Sequence, residues 1–294
     1  MELSAWKALG QIEQIDGYEM FTVDHGNPDR PVVLMIHGFP TASWDWHAVW
    51  TRLAGDFRLI TLDLLGYGLS AKPPRHRYSF AEQADLVETL MARRGFDAVH
   101  ILAHDYGDTV AQELLARQNE RGGEGIWKSC CLLNGGLFAG QHRPLLIQHI
   151  LASRLGPLVG PLLSKARLRR SMHRIAGPQR APTENEIDTF WALISANKGR
   201  AAIPLLSRYM HERVRHRERF FGALKHATVP LALINGSADP ISGAHLVAWY
   251  RQAVGEPAFT LELADAGHYP QLEYPDAVVD GFRSFIGRVD DEQA

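Results

Sequence analysis

The sequence predicts an α/β protein with a mostly parallel central sheet that is flanked by helices on both faces. Short, predominantly apolar runs alternate along the chain with longer segments in which apolar residues recur at helical spacing. The chain has 294 residues, of which 46% are hydrophobic and 22% are charged, so it can bury a sizeable core. The apolar runs that we expect to form the sheet are 32–36, 58–62, 99–103, 130–133, 231–234 and 259–263.

Local signals predict one further strand and three helices. Residues 18–23 alternate as a strand does, and Ser79 is placed to cap a helix that runs to Met91. Residues 108–117 carry apolar side chains on one face, and Pro275 precedes the C-terminal helix. Such helices are expected between parallel strands, where they form right-handed crossovers.

The alternation of strands and helices stops between residues 138 and 225, where the pattern is helical with proline and glycine punctuation. Long insertions between core strands usually cover sites. We therefore expect a core domain of residues 1–137 and 226–294 with an inserted helical cap of residues 138–225. A plain helical excursion without a role is the alternative.

The predicted cap is rich in basic residues. They are Lys165, Arg167, Arg169, Arg170, Arg174, Arg208, Arg213, Arg215, Arg217 and Arg219. They are typical of a solvated helix face. The alternative is that they steer anionic substrates or dock on an anionic surface.

Composition excludes several other classes of protein. The formal net charge of −2 gives no argument for nucleic acid binding, and no apolar run approaches the length of a membrane span. The adjacent Cys130 and Cys131 would point to opposite faces of a strand, and no Cys/His cluster has metal-ligand spacing. We expect a cytoplasmic protein without metal or cofactor, whose partners are a small-molecule substrate and water; a homodimer is left open.

Asp105 is the candidate nucleophile. It lies between a predicted strand and a predicted helix, with the small residues Ala103 and Gly107 on either side of it. This arrangement is typical of a nucleophile elbow, a tight turn that exposes its central side chain. The alternative is an ordinary aspartate that caps the following helix.

Two later loops supply partners for such a nucleophile. Asp239 follows the strand at 231–234, and His268 follows the strand at 259–263. Ligands in open α/β sheets bind beyond the carboxyl ends of the strands, so we expect both side chains at the same edge as Asp105. Asp265 is the alternative partner for His268. Asn134 is interpreted as a loop residue, with support of the triad as the alternative.

The type of nucleophile restricts the reaction. Carboxylate attack on an acyl group would give an anhydride, whereas attack on an sp³ carbon gives an alkyl ester that water can hydrolyse. We expect His268 to activate that water and the backbone N–H groups of Phe39 and Tyr106 to stabilise the resulting oxyanion on Asp105.

Five segments together resemble the epoxide hydrolase and haloalkane dehalogenase branch of the α/β-hydrolase superfamily. The similarity covers nearly the whole chain and is greatest to the mesoderm-specific transcript proteins, a subgroup similar to epoxide hydrolases. It implies the α/β-hydrolase fold and the chain order of nucleophile, acid and histidine found here as Asp105, Asp239 and His268. The segments are HGFPTASWDW (37–46), LDLLGYGLSAKP (62–73), HDYGDTVAQELL (104–115), LLNGGLF (132–138) with HRPLL (142–146), and HYPQLEYP (268–275).

The leaving group separates the activities that the resemblance implies. Epoxide hydrolases protonate the leaving alkoxide with two cap tyrosines, and Tyr209 resembles one of them. Haloalkane dehalogenases usually have a tryptophan directly after the nucleophile, where this chain has Tyr106, and many have asparagine where it has Phe39. We therefore expect an epoxide hydrolase-like enzyme, with His37 and Trp191 in the substrate pocket. A haloalkane or haloacid dehalogenase is the first alternative, and a non-catalytic or esterase-like relative is the second.

Overall fold

The computed structural model describes residues 1–293, and its strands form a single sheet in that part of the chain. Every predicted strand is present, and the short apolar runs extend by up to three residues. The strands are β1 (Gly10–Ile15), β2 (Tyr18–Gly26), β3 (Val32–Ile36), β4 (Arg58–Leu62), β5 (Val99–His104), β6 (Trp127–Leu133), β7 (Leu231–Gly236) and β8 (Phe259–Leu263).

The strand order is β1-β2-β4-β3-β5-β6-β7-β8. From β4 to β8 in this order the strands run parallel to one another, while β2 is antiparallel to both β1 and β4. The central strands β3 and β5 pair from Val32 with Val99 to Ile36 with Ala103, so they end at the same edge. That register brings the loops after β3 and β5 together.

The helices cover both faces of the sheet and also fill the long interval between β6 and β7. The helices are α1 (Leu3–Leu9), α2 (His47–Leu53), α3 (Phe80–Arg94), α4 (Tyr106–Glu120), α5 (Leu146–Ala152), α6 (Gly156–Val159), α7 (Lys165–Ile175), α8 (Glu184–Ser195), α9 (Gly199–Leu206), α10 (Tyr209–Arg215), α11 (Arg217–Lys225), α12 (Ala244–Ala253), α13 (Pro270–Glu273) and α14 (Pro275–Gln293). Short 3₁₀ turns lie at Ser43–Trp46, Gly160–Leu162 and Ala196–Lys198.

The central strands are buried on both faces, which explains why their sequences are continuous apolar runs. In β3, Leu34 and Ile36 belong to the apolar cluster that includes Val110 of α4. The alternate residues Val33 and Met35 belong to the cluster on the other face. Cys130 and Cys131 are free, buried thiols in β6, one in each cluster.

The three predicted helices are present with recognisable ends. Ser79 caps α3, because its hydroxyl accepts the N–H of Glu82, and Gly95 ends α3 in the left-handed conformation. The predicted helix at 108–117 is the middle of α4, and the C-terminal helix begins at Pro275 as expected. Within residues 1–293, none of the helices combines the length and apolarity that crossing a membrane requires.

Seven helices, α5 to α11, lie between β6 and β7 in the part of the chain that the structure describes. They lie within the interval in which the sequence predicts an insertion. The helix α11 packs along α4, and α10 packs against α5 and α11. The insertion is therefore in direct contact with α4, the helix that follows Asp105.

Candidate active site

Polar side chains from four loops converge at the carboxyl edge of the sheet, together with the backbone of the loop after β3. Phe39 follows β3, Asp105 follows β5, Asn134 follows β6, Asp239 follows β7 and His268 follows β8. This is the edge at which open α/β sheets bind ligands. The sheet order, rather than nearness in sequence, brings these residues together.

Asp105 occupies a strained turn between β5 and α4. Its φ of 49° and ψ of −104° lie outside the regions that L-residues normally adopt, at a cost of about 1–3 kcal/mol. A Cβ on Gly107 would lie 2.3 Å from the carbonyl oxygen of Ile36, so only glycine allows α4 to approach β3 this closely. The Asp105 side chain makes no capping hydrogen bond to α4, which argues against the helix-cap alternative.

One oxygen of the Asp105 carboxylate is held by a backbone amide. The N–H of Phe39 donates to Asp105 Oδ2 at 3.0 Å. Tyr106 is the first residue of α4, where the N–H groups lack helical partners and the helix dipole favours negative charge. The N–H of Phe39 therefore contacts the carboxylate, and the start of α4 adds a dipole that favours its negative charge.

His37 lies beneath this loop and away from the cavity lining, which differs from the expectation that it lines the substrate pocket. Its ring is fully buried, and its Nε2 accepts the N–H of Leu64 at 3.0 Å. Its Nδ1 lies 2.9 Å from the carbonyl oxygen of Gly38. His37 therefore supports the loop that positions the N–H of Phe39.

His268 lies between the two aspartates. Its Nδ1 is 2.7 Å from Asp239 Oδ2, and its Nε2 is 3.9 Å from Asp105 Oδ1. Asp265, the alternative partner, is exposed, whereas Asp239 is buried against the ring. The structure thus brings Asp105, His268 and Asp239 into one line.

The charges of this trio are coupled. Burial alone would lower the pKa of His268, but the charge and hydrogen bond of Asp239, with a further contribution from Asp105, raise it to about 9. Burial would raise the pKa of Asp239, yet the charge and hydrogen bond of His268, helped by donors from Ile241 and Asn134, lower it overall. Both effects favour an imidazolium held between two carboxylates in the resting site.

Asn134 is a positioning residue that the sequence analysis took for a loop residue. Its Nδ2 donates to Asp239 Oδ2 at 3.0 Å and to the carbonyl oxygen of Gly236 at 3.0 Å. Its Oδ1 accepts the N–H of Gly236 at 2.7 Å. Ser242 adds two donors to the same Asp239 oxygen, through its N–H at 3.1 Å and its hydroxyl at 3.0 Å. Asn134 lies within the LLNGGLF segment, but it reaches Asp239 only through the pairing of β6 with β7.

Glu273 is a second residue that the sequence analysis missed. Its Oε2 accepts the N–H groups of Gly177 and Gly267 at 2.8 Å each. Beside it, the N–H of His268 donates to the carbonyl oxygen of Ile175 at 2.9 Å. These bonds tie the loop after α7 to the loop that carries His268. Glu273 lies within the HYPQLEYP segment, which was the signal that could have found it.

A cavity of about 110 Å³ lies between the insertion and the sheet edge. Phe39 and His268, which both contact Asp105, form part of its wall, and Trp191, a predicted substrate-pocket residue, also lines it. Most of the remaining wall is aliphatic, and the exposed Arg167 and Ser164 mark its rim. The aliphatic wall residues are Leu145, Ile147, Leu151, Leu163, Leu168, Ile175, Ile194, Ile203 and Ile241.

Tyr209 lies at the start of α10, against the residues around Asp105. Its ring centroid is 5.6 Å from that of Phe39 and 5.4 Å from that of Tyr106. Its hydroxyl accepts a hydrogen bond at 3.4 Å from Nε2 of Gln148, a residue of the cavity wall. Burial and the negative charge of Asp105 raise the pKa of Tyr209, so the phenol is protonated at neutral pH.

Arg213 is a buried cation on the other side of Tyr209. Its guanidinium carbon lies 4.9 Å from the centre of the Tyr209 ring, and its Nη2 donates to the hydroxyl of Thr109 at 2.8 Å. Within residues 1–293, Arg213 has no carboxylate within ion-pair distance. Its positive charge opposes the rise in the pKa of Tyr209.

Comparison with known proteins agrees with this architecture. The model of the Alpha/beta hydrolase family matches residues 33–281. The Mesoderm-specific transcript protein of Mus musculus is 39% identical over 297 residues, which cover 97% of this chain and 88% of the mouse protein. The Putative hydrolase LipZ of Mycobacterium tuberculosis is 37% identical over 264 residues, which cover 90% of this chain and 91% of LipZ.

Solved structures resemble the chain in fold. The haloalkane dehalogenase DbeA from Bradyrhizobium elkani matches with a TM-score of 0.81 and 22% identity, over 96% of this chain and 99% of DbeA. At that identity the likeness concerns the fold alone. The family match spans most of the chain, and two sets of relatives exceed 30% identity over most of it. The chain therefore belongs to the α/β hydrolase family.

Proposed function

We propose that this α/β hydrolase opens epoxides to diols through an alkyl ester on Asp105. The observation that carries the proposal is the placement of a carboxylate, rather than a hydroxyl, at the strained elbow, with Phe39 N–H on one oxygen and His268 near the other. A carboxylate there suits attack on an sp³ carbon. The insertion of residues 138–225 acts as the cap, since it supplies Gln148, Trp191 and Tyr209.

In the first step, Asp105 Oδ1 attacks an epoxide carbon, and the ring C–O bond breaks. Oδ2 is already engaged by the N–H of Phe39, which leaves Oδ1 as the attacking oxygen. The electron pair of the broken bond goes to the epoxide oxygen, which takes the hydroxyl proton of Tyr209. The aliphatic wall of the cavity favours an apolar substituent on the epoxide.

Tyr209 and Gln148 are the donors that we assign to the leaving oxygen. Gln148 takes the place of a second ring-opening tyrosine, because its Nε2 already donates to the Tyr209 hydroxyl and it lines the cavity. Arg213 stabilises the tyrosinate that proton transfer leaves behind, since its buried charge lies over the ring. An alkoxide is a poor leaving group, so this assistance matters for epoxides.

In the second step, His268 removes a proton from a water molecule that attacks the Asp105 carbonyl carbon. The oxyanion forms on the oxygen that faces the amides of Phe39 and Tyr106. Its collapse breaks the Cγ–Oδ1 bond, and the leaving oxygen takes the proton of the newly added hydroxyl, so the diol departs and Asp105 is again a carboxylate. The proton held by His268 returns to the Tyr209 tyrosinate through solvent. Esterification removes the negative charge of Asp105, one of the charges that raise the pKa of His268. The pKa of His268 is therefore lower in the ester intermediate, so a larger fraction of His268 is neutral and able to act as the base.

A haloalkane dehalogenase is the second candidate, and one observation favours it. Trp191 lines the cavity, where its indole N–H could solvate a departing halide without transferring a proton. Against it, the residue after Asp105 is Tyr106 and not the tryptophan that is usual in haloalkane dehalogenases. The Tyr106 ring packs 4.7 Å from that of Phe80 and is almost fully buried.

The test is a single-turnover reaction read by intact-protein mass. His268→Gln should accumulate one adduct with 1,2-epoxyhexane, while Asp105→Ala should accumulate none. Exposed His173→Gln serves as the matched control and should turn over without an adduct. An adduct with 1-bromohexane but none with the epoxide would favour the dehalogenase. Turnover of p-nitrophenyl acetate without any adduct would overturn the aspartate mechanism, and inertness towards all three would favour a non-catalytic protein.

A further inference from the structure

A second cleft lies outside the candidate active site, and we call it the arginine cleft. It has a volume of about 330 Å³ and is formed by the loop before α3 on one side and by α10 on the other. Arg75 and Arg77 come from the loop, and Arg208 and Arg215 come from the insertion. All four side chains are exposed, so a ligand can reach them.

The basic residues of the insertion differ in whether they have a partner. Several of the others have partners: Lys165 pairs with Asp188, Arg169 with Glu184, Arg217 with Glu218, and Arg219 with Glu113, while Arg213 donates to Thr109. In contrast, none of the four cleft arginines makes an ion pair with any residue in 1–293. Arg167, Arg170 and Arg174 also lack an ion pair among the described residues, so the cleft differs in that four unpaired guanidinium groups line one cavity.

Glu212 is the acidic residue of the cleft wall, but it is already engaged. Its Oε1 accepts the N–H of Phe80 at 3.0 Å, at the start of α3. Burial raises the pKa of Glu212 to about 7, and the charges of Arg77 and Arg215 oppose that rise. The carboxylate is therefore only a partial counter-charge for four guanidinium groups.

We propose that the arginine cleft binds a phosphate monoester group. Guanidinium groups are planar forks that bind phosphate oxygens in pairs, and a doubly charged anion matches an excess of unpaired cations better than a carboxylate does. The arginines come from two segments more than a hundred residues apart and line the same cleft. An anion between them would relieve the repulsion between their like charges.

The arginine cleft lies beside α10, the helix that carries Tyr209. Arg208 directly precedes Tyr209, and Arg215 ends the same short helix, α10. A phosphate group held between α10 and the loop of Arg75 and Arg77 joins the insertion to the core. It therefore restrains the helix that carries Tyr209, and this role stands independently of the chemistry at Asp105.

Titration calorimetry with inorganic phosphate at constant ionic strength tests the proposal. Arg75→Ala/Arg77→Ala and Arg208→Ala/Arg215→Ala should each weaken binding roughly tenfold or more. The control Arg251→Ala/Arg283→Ala removes the same number of charges from ion pairs elsewhere and should leave the affinity unchanged. Phosphate should also raise the melting temperature of the wild type but not of the two cleft variants.

A vesicle sedimentation experiment distinguishes a lipid headgroup from a free phosphate compound as the ligand. Phosphatidylcholine vesicles that contain phosphatidic acid are sedimented with the wild type and with both cleft variants. Binding that the variants lose, and that inorganic phosphate does not mimic, assigns the cleft to a lipid headgroup. Binding of inorganic phosphate alone assigns it to a free phosphate compound. If the wild type and the cleft variants behave alike in both arms, the proposal is wrong.

Discussion

Removal of the Tyr209 hydroxyl should separate epoxide opening from halide displacement. Tyr209→Phe keeps the ring, and with it the contacts to Phe39, Tyr106 and Arg213. It removes only the hydroxyl oxygen. Among the described residues, that oxygen accepts one hydrogen bond, from Gln148 Nε2 at 3.4 Å. The perturbation is therefore confined to proton donation.

The expected magnitudes follow from that geometry. Loss of one long hydrogen bond to a neutral amide should cost about 1 kcal/mol of folding free energy, or roughly 2–4 °C in melting temperature. Loss of the general acid should slow formation of the Asp105 adduct by about 10²–10⁴-fold with an epoxide. A halide leaves without a proton, so the adduct from a haloalkane should form within about threefold of its former rate.

The assay uses His268→Gln as the background, because the adduct then accumulates and its rate of formation is read by intact mass. The matched probes are 1,2-epoxyhexane and 1-bromohexane, which present the same chain to the aliphatic cavity wall. Tyr250→Phe is the control, since Tyr250 is an equally buried phenol on α12.

Three outcomes would refute the reasoning. An unchanged rate with the epoxide would remove Tyr209 from the chemistry. An equal loss with both probes would mean that the hydroxyl supports the shape of the cavity, not the leaving oxygen. A loss of melting temperature far above that of Tyr250→Phe would point to the same structural role.

Three further predictions concern the residues around Asp105. His268→Gln should slow steady-state epoxide turnover by about 10²–10⁴-fold while adduct still forms, and a variant without adduct would contradict the two-step mechanism. Asn134→Ala should cost about 2–4 kcal/mol in denaturant unfolding, because it leaves Gly236 and part of Asp239 unpaired, and a loss below about 0.5 kcal/mol would show that Ser242 suffices. The rate of adduct hydrolysis in the wild type should rise with pH and level off below pH 9. The resting pKa of His268 is about 9, and the ester lacks the negative charge of Asp105, which helps to raise that pKa. A rate that falls over this range would exclude His268 as the base.

The central strands of the sheet were predictable because burial on both faces favours nearly continuous apolar runs. The exception, β1, shows the limit of that signal. β1 pairs with β2 at the edge of the sheet, and its Gln11, Glu13 and Gln14 are polar, so hydrophobicity does not mark it as a strand. The fold class therefore followed from the centre of the sheet, where the pattern is strongest.

The sequence by itself determined the identity of the nucleophile candidate, its histidine and its acid. Asp105, Asp239 and His268 each follow an apolar run, and parallel strands bring their carboxyl ends to one edge. Only the tertiary structure decided what surrounds them. It placed His37 under the loop of Phe39, brought Asn134 to Asp239 through the pairing of β6 with β7, and set Tyr209 between Gln148 and Arg213. The reason is physical: a strand pattern fixes where a chain segment lies, whereas the direction of a side chain and its partner depend on packing between segments far apart in sequence.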